Sequence, residues 1–227
     1  MAFIMIKNIK EYSDGSFQFL SEESIITKIP IENILDIGCH QGGTILGYKN
    51  MCHPKKIYGF EGSIENYTIA KNALNFSDVE LFNVAVSNFD EEKGTFYLSQ
   101  DSVSSSLSYP TTKVQLKSQQ PIKVIRIDTW AKQNNVKNVD FVKIDVQGDD
   151  FKVIVGIGNF IKLVKILKVE VWFGGAEEYY KNVDLFDTVL NYLNKNGMIF
   201  YSFPMLFYNN SGKLLWGDAI FLRKDLI

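Results

Sequence analysis

Cysteine is scarce in this chain. Cys39 and Cys52 are the only two in 227 residues, too few for a disulfide framework. Each precedes a histidine, giving Cys39-His40 and Cys52-His53. A Cys2His2 zinc site favours two cysteines separated by two to four residues; these stand 52 − 39 = 13 positions apart, and no metal is expected. Charge of one sign is lacking as well. Lys and Arg number 24 against 26 Asp and Glu, a net charge of 24 − 26 = −2, which leaves no basic footprint for nucleic acid. No apolar run approaches the roughly 18–20 residues that span a bilayer, and Met1–Ile6 is too short for a signal peptide. A cytoplasmic protein without a membrane partner is the expectation. With no repeat or linker to divide it, and 46% hydrophobic against 22% charged residues, the chain reads as one globular unit over residues 1–227.

What is present centres on Ile34-Leu35-Asp36-Ile37-Gly38-Cys39-His40-Gln41-Gly42-Gly43. A short apolar run bounded by glycine reads as a buried parallel strand. The glycines admit a close approach of backbone or ligand where a Cβ would clash. Residues Thr44–Met51 can form a helix whose first N–H groups point back at the strand end, a site for an anionic or polar small molecule. A dinucleotide fingerprint is G-x-G-x-x-G. Here Gly38 and Gly42 enclose three residues and Asp36 precedes by two, a D-x-G-x-x-x-G spacing similar to the first motif of S-adenosylmethionine-dependent methyltransferases.

Taken in order, residues 1–30 read as a cover for a sheet, with an edge strand at Ser16–Leu20 and a short helix capped at Ser21-Glu22-Glu23-Ser24. Strands follow at Asn33–Ile37, Ile57–Glu61 and Val79–Val84, and Ser63 caps a helix with Tyr67, Ala70 and Leu74 on one face. This βαβαβ order predicts a doubly wound parallel sheet with right-handed crossovers. Residues 88–120 break the rhythm: a strand at Gly94–Leu98, then a polar, serine-rich stretch to Gln120 that reads as a surface loop or an acceptor-binding loop. Ile122–Ile127 is strand-like, and Asp128-Thr129 would cap a helix at Trp130–Asn134. Strands at Phe141–Asp145 and Ile166–Trp172 enclose a helix at Asp149–Ile157. Phe186, Val189, Leu190 and Leu193 mark a helix ending at Asn196-Gly197. Met198–Phe203 and Asp218–Arg223 are the last strands, with Pro204–Gly217 as the loop between them, over the active edge.

Ligands of open α/β sheets sit outside the carboxyl ends of the strands. Those ends carry Asp36, Glu61, Asn83-Val84-Ala85, Asp145 and Glu170. Glu61 can accept hydrogen bonds from both hydroxyls of an adenosine ribose. Lys143, inside an apolar strand, reads as a side chain that snorkels or pairs with a buried carboxylate rather than as a catalyst. Cys52 and His53 fall at the opposite edge, away from Cys39 and His40.

Together these residues resemble the FkbM family of S-adenosylmethionine-dependent methyltransferases, over about residues 33–225. The resemblance rests on Asp36-Ile37-Gly38 with Gly42, Phe60-Glu61, Asn83-Val84-Ala85-Val86-Ser87, Ser105-Ser106-Leu107, Arg126-Ile127-Asp128, Asp140-Phe141-Val142-Lys143-Ile144-Asp145-Val146-Gln147-Gly148, Glu170 and Asp218-Ala219-Ile220-Phe221. His40, Gly62 and Gln147 stand where the family commonly has Asn, Pro and Glu, so position 147 offers no carboxylate here. The resemblance implies a Rossmann-like fold with a seven-stranded, mostly parallel sheet, one antiparallel strand and helices on both faces. It implies S-adenosylmethionine as cofactor, S-adenosylhomocysteine as product, and O-methylation of a sugar, a glycan or another small molecule. On it, Asp36, Gly38, His40, Gly42, Glu61, Gly62, Asn83, Ala85 and Asp145 would hold the cofactor. Asp145 is the first candidate for general base, with Glu170 and His40 behind it. Ser104, Ser105, Ser106 and Trp216 would bind the acceptor, its hydroxyls on the serines and its C–H face on the aromatic ring; the alternative is that the aromatics of Pro204–Gly217 fill the core or a dimer contact. The other readings are an O- or N-methyltransferase of a different small molecule and a non-catalytic cofactor-binding protein.

Overall fold

The computed structural model describes residues 10–11, 17–18 and 21–227. Residues 17–18 pair antiparallel with 10–11, and the rest of the strand expected over Ser16–Leu20 lies largely outside the described residues. Ser21 accepts from the Ser24 N–H and opens α1 (Glu22–Ile26). The alternating units that follow are β1 (Asn33–Ile37), α2 (Gly43–Cys52), β2 (Lys56–Phe60), α3 (Ile64–Ala73) and β3 (Val79–Phe82). Then come β4 (Ala85–Val86), β5 (Glu91–Ser99), β6 (Leu116–Ile125), α4 (Ile127–Gln133), β7 (Phe141–Ile144), α5 (Asp150–Ile157), β8 (Ile166–Trp172), α6 (Phe186–Lys195), β9 (Met198–Tyr208) and β10 (Leu214–Arg223).

Seven strands form one sheet in the order β9-β10-β8-β7-β1-β2-β3. Only β10 runs against its neighbours, inserted between β8 and β9. Side chains alternate between the two faces of each strand. Leu35, Ile37, Val142 and Ile144 meet α4, α5 and α6 on one face. Ile34, Phe141, Ile166 and Ile220 meet α1, α2 and α3 on the other, where Ile25 and Ile26 of α1 are fully buried. Each such side chain contributes about 1.5–3 kcal/mol, which makes both faces committed to helices and leaves the strand ends as the accessible polar rim. Strand order reverses where β1 lies between β2 and β7, so a crevice opens at their carboxyl ends.

Three local expectations are corrected. The stretch from Leu116 is a strand, paired antiparallel with β5 in a three-stranded sheet that also holds β4. Its first residues are exposed on both sides, so backbone pairing decides the structure without any alternation of burial. Helix α4 starts at Ile127, three residues before Trp130, with Arg126 at the cap position. Asp128 sits in the first turn, where it accepts from the Arg126 guanidinium at 2.8 and 2.6 Å. Pro204–Gly217 is mostly a continuation of β9 and β10, not a loop: Asn209 Oδ1 accepts from the N–H of Ser211 and Lys213 and closes the turn. Pro204 is tolerated because β9 is the edge strand and its register shifts between Ser202 and Met205.

Candidate active site

A cavity of about 290 Å³ opens at the carboxyl ends of β1, β2 and β7. Its floor is the β1–α2 turn. Gly38 has φ +80°, and a Cβ there would stand 1.8 Å from the Asp145 carbonyl oxygen. The glycine is needed because two neighbouring strand ends nearly touch, before any ligand is considered. Its N–H donates to the Phe60 carbonyl at 2.9 Å, and the Asp145 N–H donates to the Ile37 carbonyl at 3.0 Å. Gly43, at the start of α2, has open space where its Cβ would be.

Asp36 and Lys143 are register partners on β1 and β7 and point to the same face. The Lys143 ammonium is 3.2 Å from Asp36 Oδ1, 3.6 Å from Asp145 Oδ2, and donates to the Gly38 carbonyl at 2.7 Å. Thr44 donates its hydroxyl to the other Asp36 oxygen. Burial by itself would lower the Lys143 ammonium, but the Asp36 and Asp145 carboxylates outweigh it and hold the group above its ordinary value. Asp36 is therefore a structural counter-ion beneath the turn, outside the cavity wall.

Glu61 lines the cavity from the end of β2. Its Oε2 accepts the His40 N–H at 2.8 Å and its Oε1 the Ser63 N–H at 2.7 Å. Burial pushes the carboxyl up, and those two N–H bonds oppose the rise. Each oxygen keeps a lone pair for one further donor. Asn83 does not reach the cavity; its Nδ2 donates to the carbonyls of Glu61 and Gly62 and braces that turn. Gly42 also lies behind the wall, with φ +87°, where a Cβ would strike Leu74. Gly38, His40, Gly62, Ala85 and Asp145 do line the cavity.

The segment 100–115 crosses the cavity mouth. Ser102, Val103, Ser105 and Leu107 line the cavity, in a segment that bridges to β5 at Tyr97–Ser106. Ser104 and Ser106 face elsewhere: Ser104 Oγ donates to Asp101, and Ser106 Oγ to the Gln147 carbonyl at 2.6 Å. Ser108 Oγ donates to Asp149 at 2.6 Å, and the N–H groups of Thr111 and Lys113 bond the carbonyls of Tyr179 and Glu178. Serine content signalled a polar segment at this edge. Which hydroxyls are spent on holding it there depends on chain segments 40 to 70 residues away, roughly the separations |i−j| of 41 and 66 at these contacts. Trp216 sits beside the cavity rather than in it, stacked on Phe207 at 5.1 Å and packed on Trp172 and Tyr179.

The three catalytic candidates separate. Asp145 lines the cavity with its side chain 38% exposed. Glu170 lies behind it, buried; burial and the charges of Asp145, Asp150 and Asp218 push its carboxyl well up. His40 lines the cavity too, its Nε2 3.1 Å from Ser102 Oγ, and burial lowers its imidazole, with Lys143 adding to the effect. Cys39 is buried, and burial, then Asp36 and Glu61, hold its thiol well up. Cys52-His53 stands at the far end of α2, about 15 Å of helix away. Gln147, Asp149 and Phe96 line the cavity and were not among the residues expected there. Among the described residues, no group of three or more His, Cys, Asp or Glu could hold a metal ion, and no helix is long and apolar enough to cross a membrane.

The cavity wall combines the two Glu61 carboxylate oxygens, each with a lone pair left, with apolar surface from Phe96, Val103, Leu107 and Ala85, the acceptors and the apolar surface that a nucleoside with a polar tail would need.

Residues 36–200 match the family described as "Methyltransferase FkbM domain". No curated protein matches the sequence. Among solved structures, the fold is similar to TrmK of M. capricolum, determined with S-adenosyl-homocysteine, at 9% identity and TM-score 0.50, covering 91% of this chain and 70% of that one. It is also similar to the methyltransferase domain of bacterial CtHen1-C, at 12% identity and TM-score 0.50, covering 88% and 93%. At these identities the likeness is one of fold.

Proposed function

This chain belongs to the FkbM methyltransferase family, and from that premise we propose that it methylates a hydroxyl of a sugar or glycan, with Asp145 as general base. The cofactor is S-adenosylmethionine; when bound it supplies a methyl group on a positively charged sulfur, already activated for displacement. What remains for the protein is positioning and removal of a proton. Glu61 would hold the ribose, and the turn Gly38–His40 would border the amino-acid end. Asp145 would accept the hydroxyl proton.

The observation that carries this reading is the placement of Asp145: a part-exposed carboxylate in the wall of the same cavity as Glu61. Support for a polyhydroxyl acceptor is the polar lining beside it, made by Ser105 and by Asp149, whose Oδ1 takes the bonds from Ser108 and Lys152. Hydroxyls removed from water need such partners. The test is S-adenosylhomocysteine formation over a panel of sugars and glycans, with RNA and non-sugar alcohols and amines as parallel arms. Product with a sugar is the expected result. Transfer only to RNA or to a non-sugar would overturn the acceptor assignment, and no transfer with the cofactor bound would favour a binding protein.

Glu61→Ala is expected to weaken cofactor binding by about 1.5–3 kcal/mol, the scale of a lost charge-assisted hydrogen bond. Calorimetric titration checks it. Wild-type affinity would move the ribose site away from β2.

A further inference from the structure

We propose that Gln147 is the positioning residue of the Asp145 carboxylate, held in place by the segment that crosses the cavity mouth and by Tyr180. The inference rests on Asp145 being the base.

Every polar group of the Gln147 side chain is engaged. Nε2 donates to Asp145 Oδ1 at 2.7 Å and lies 3.3 Å from Glu170 Oε2. Oε1 accepts from the Tyr180 hydroxyl at 3.1 Å, a proton shared with the Ser104 carbonyl at 3.0 Å. Turned the other way, the amide would set its oxygen against the Asp145 carboxyl, so the surroundings define its orientation. Among the described residues, this is the one hydrogen bond to the Asp145 carboxylate; Lys143, at 3.6 Å, attracts it without fixing its direction.

The backbone of Gln147 is held just as firmly. Its φ is +62°, a conformation that non-glycine residues keep where neighbours over-determine it. Ser106 Oγ donates to its carbonyl at 2.6 Å. Gly148 follows at φ +95°, with the Tyr180 ring where a Cβ would go. Asp150 closes the turn by accepting the N–H groups of Val146 and Gly148 at 2.9 and 3.0 Å. Tyr180 is itself buried against Trp172. Four chain segments thus converge on one residue, and its side-chain amide aims one carboxylate into the cavity. A base must be held close to its productive geometry, since a misplacement of about 1 Å can cost roughly 100-fold in rate.

The test uses the full chain with S-adenosylmethionine bound. The Asp145 χ1 distribution is read from three-bond couplings to its ¹³Cγ. One rotamer is expected in the wild type and an average of rotamers in Gln147→Ala. With a competent acceptor, Gln147→Ala should lower kcat roughly 10–100-fold, with cofactor Kd unchanged within about twofold. Tyr180→Phe, which keeps the ring packed, should shift both readouts the same way by less, and it serves if Gln147→Ala does not fold. A single Asp145 rotamer in the variants, or an unchanged kcat, overturns the proposal. If no acceptor reacts even with the wild type, the sugar assignment falls, and the couplings still decide whether Gln147 positions Asp145.

Discussion

Asp145→Asn is expected to bind S-adenosylmethionine as the wild type does and to turn over roughly 10²–10⁴-fold more slowly, the usual worth of a positioned general base. The substitution keeps the size of the side chain and leaves an oxygen to accept from Gln147 Nε2, which lies 2.7 Å from Asp145 Oδ1. It removes the capacity to take a proton. Lys143 loses one of its two carboxylate neighbours but keeps Asp36 at 3.2 Å, so the fold beneath the site should survive. Calorimetry for the cofactor and single-turnover methyl transfer separate the outcomes. Normal turnover would remove Asp145 from the base role, and loss of cofactor binding would assign it to holding the ligand.

Lys143→Met should lower the free energy of unfolding by about 3–5 kcal/mol, because removing one partner of a buried ion pair leaves the other charge uncompensated. Asp36 is fully buried, and without the ammonium its Oδ1 has no remaining partner among the described residues. The Gly38 carbonyl loses its 2.7 Å donor at the same time. Urea denaturation followed by circular dichroism measures the change. The double variant Asp36→Asn with Lys143→Met should recover part of the loss, since neither charge is then left alone. A single variant within about 1 kcal/mol of wild type would mean that the pair is solvated or dispensable, the range of a surface salt bridge.

Both predictions turn on one strand, and it illustrates how far the chain could be read in advance. The apolar run around Lys143 and the acid at its end were legible as a buried strand delivering Asp145 to the sheet edge, because residue alternation and strand ends are local properties. The pairing of Lys143 with Asp36 was legible only as a type of contact. The partner is set by the parallel register of β1 and β7, strands more than a hundred positions apart in the chain, as the |i−j| of 105 between Lys143 and Gly38 shows.

Local sequence was enough for the alternation of strands and helices and for the glycine turn with Glu61 at the following strand end, while the antiparallel final strand was implied by the family resemblance. The first two follow from hydrophobic periodicity, from the torsional freedom of glycine and from the length of each βα unit, all expressed within about 30 residues. Tertiary structure alone decided where polar side chains went. Asn83 braces a turn instead of lining the cavity, Ser104 and Ser106 anchor the crossing segment, and Trp216 packs into an aromatic cluster. It also made a strand of Leu116–Gln120 and made Gln147 the neighbour of Asp145, Glu170 and Tyr180 at once. A polar side chain satisfies its hydrogen bonds with whatever the fold brings within about 3 Å. That partner is fixed by chain crossings far away in sequence, so composition and spacing name the candidates and the packed structure assigns their work.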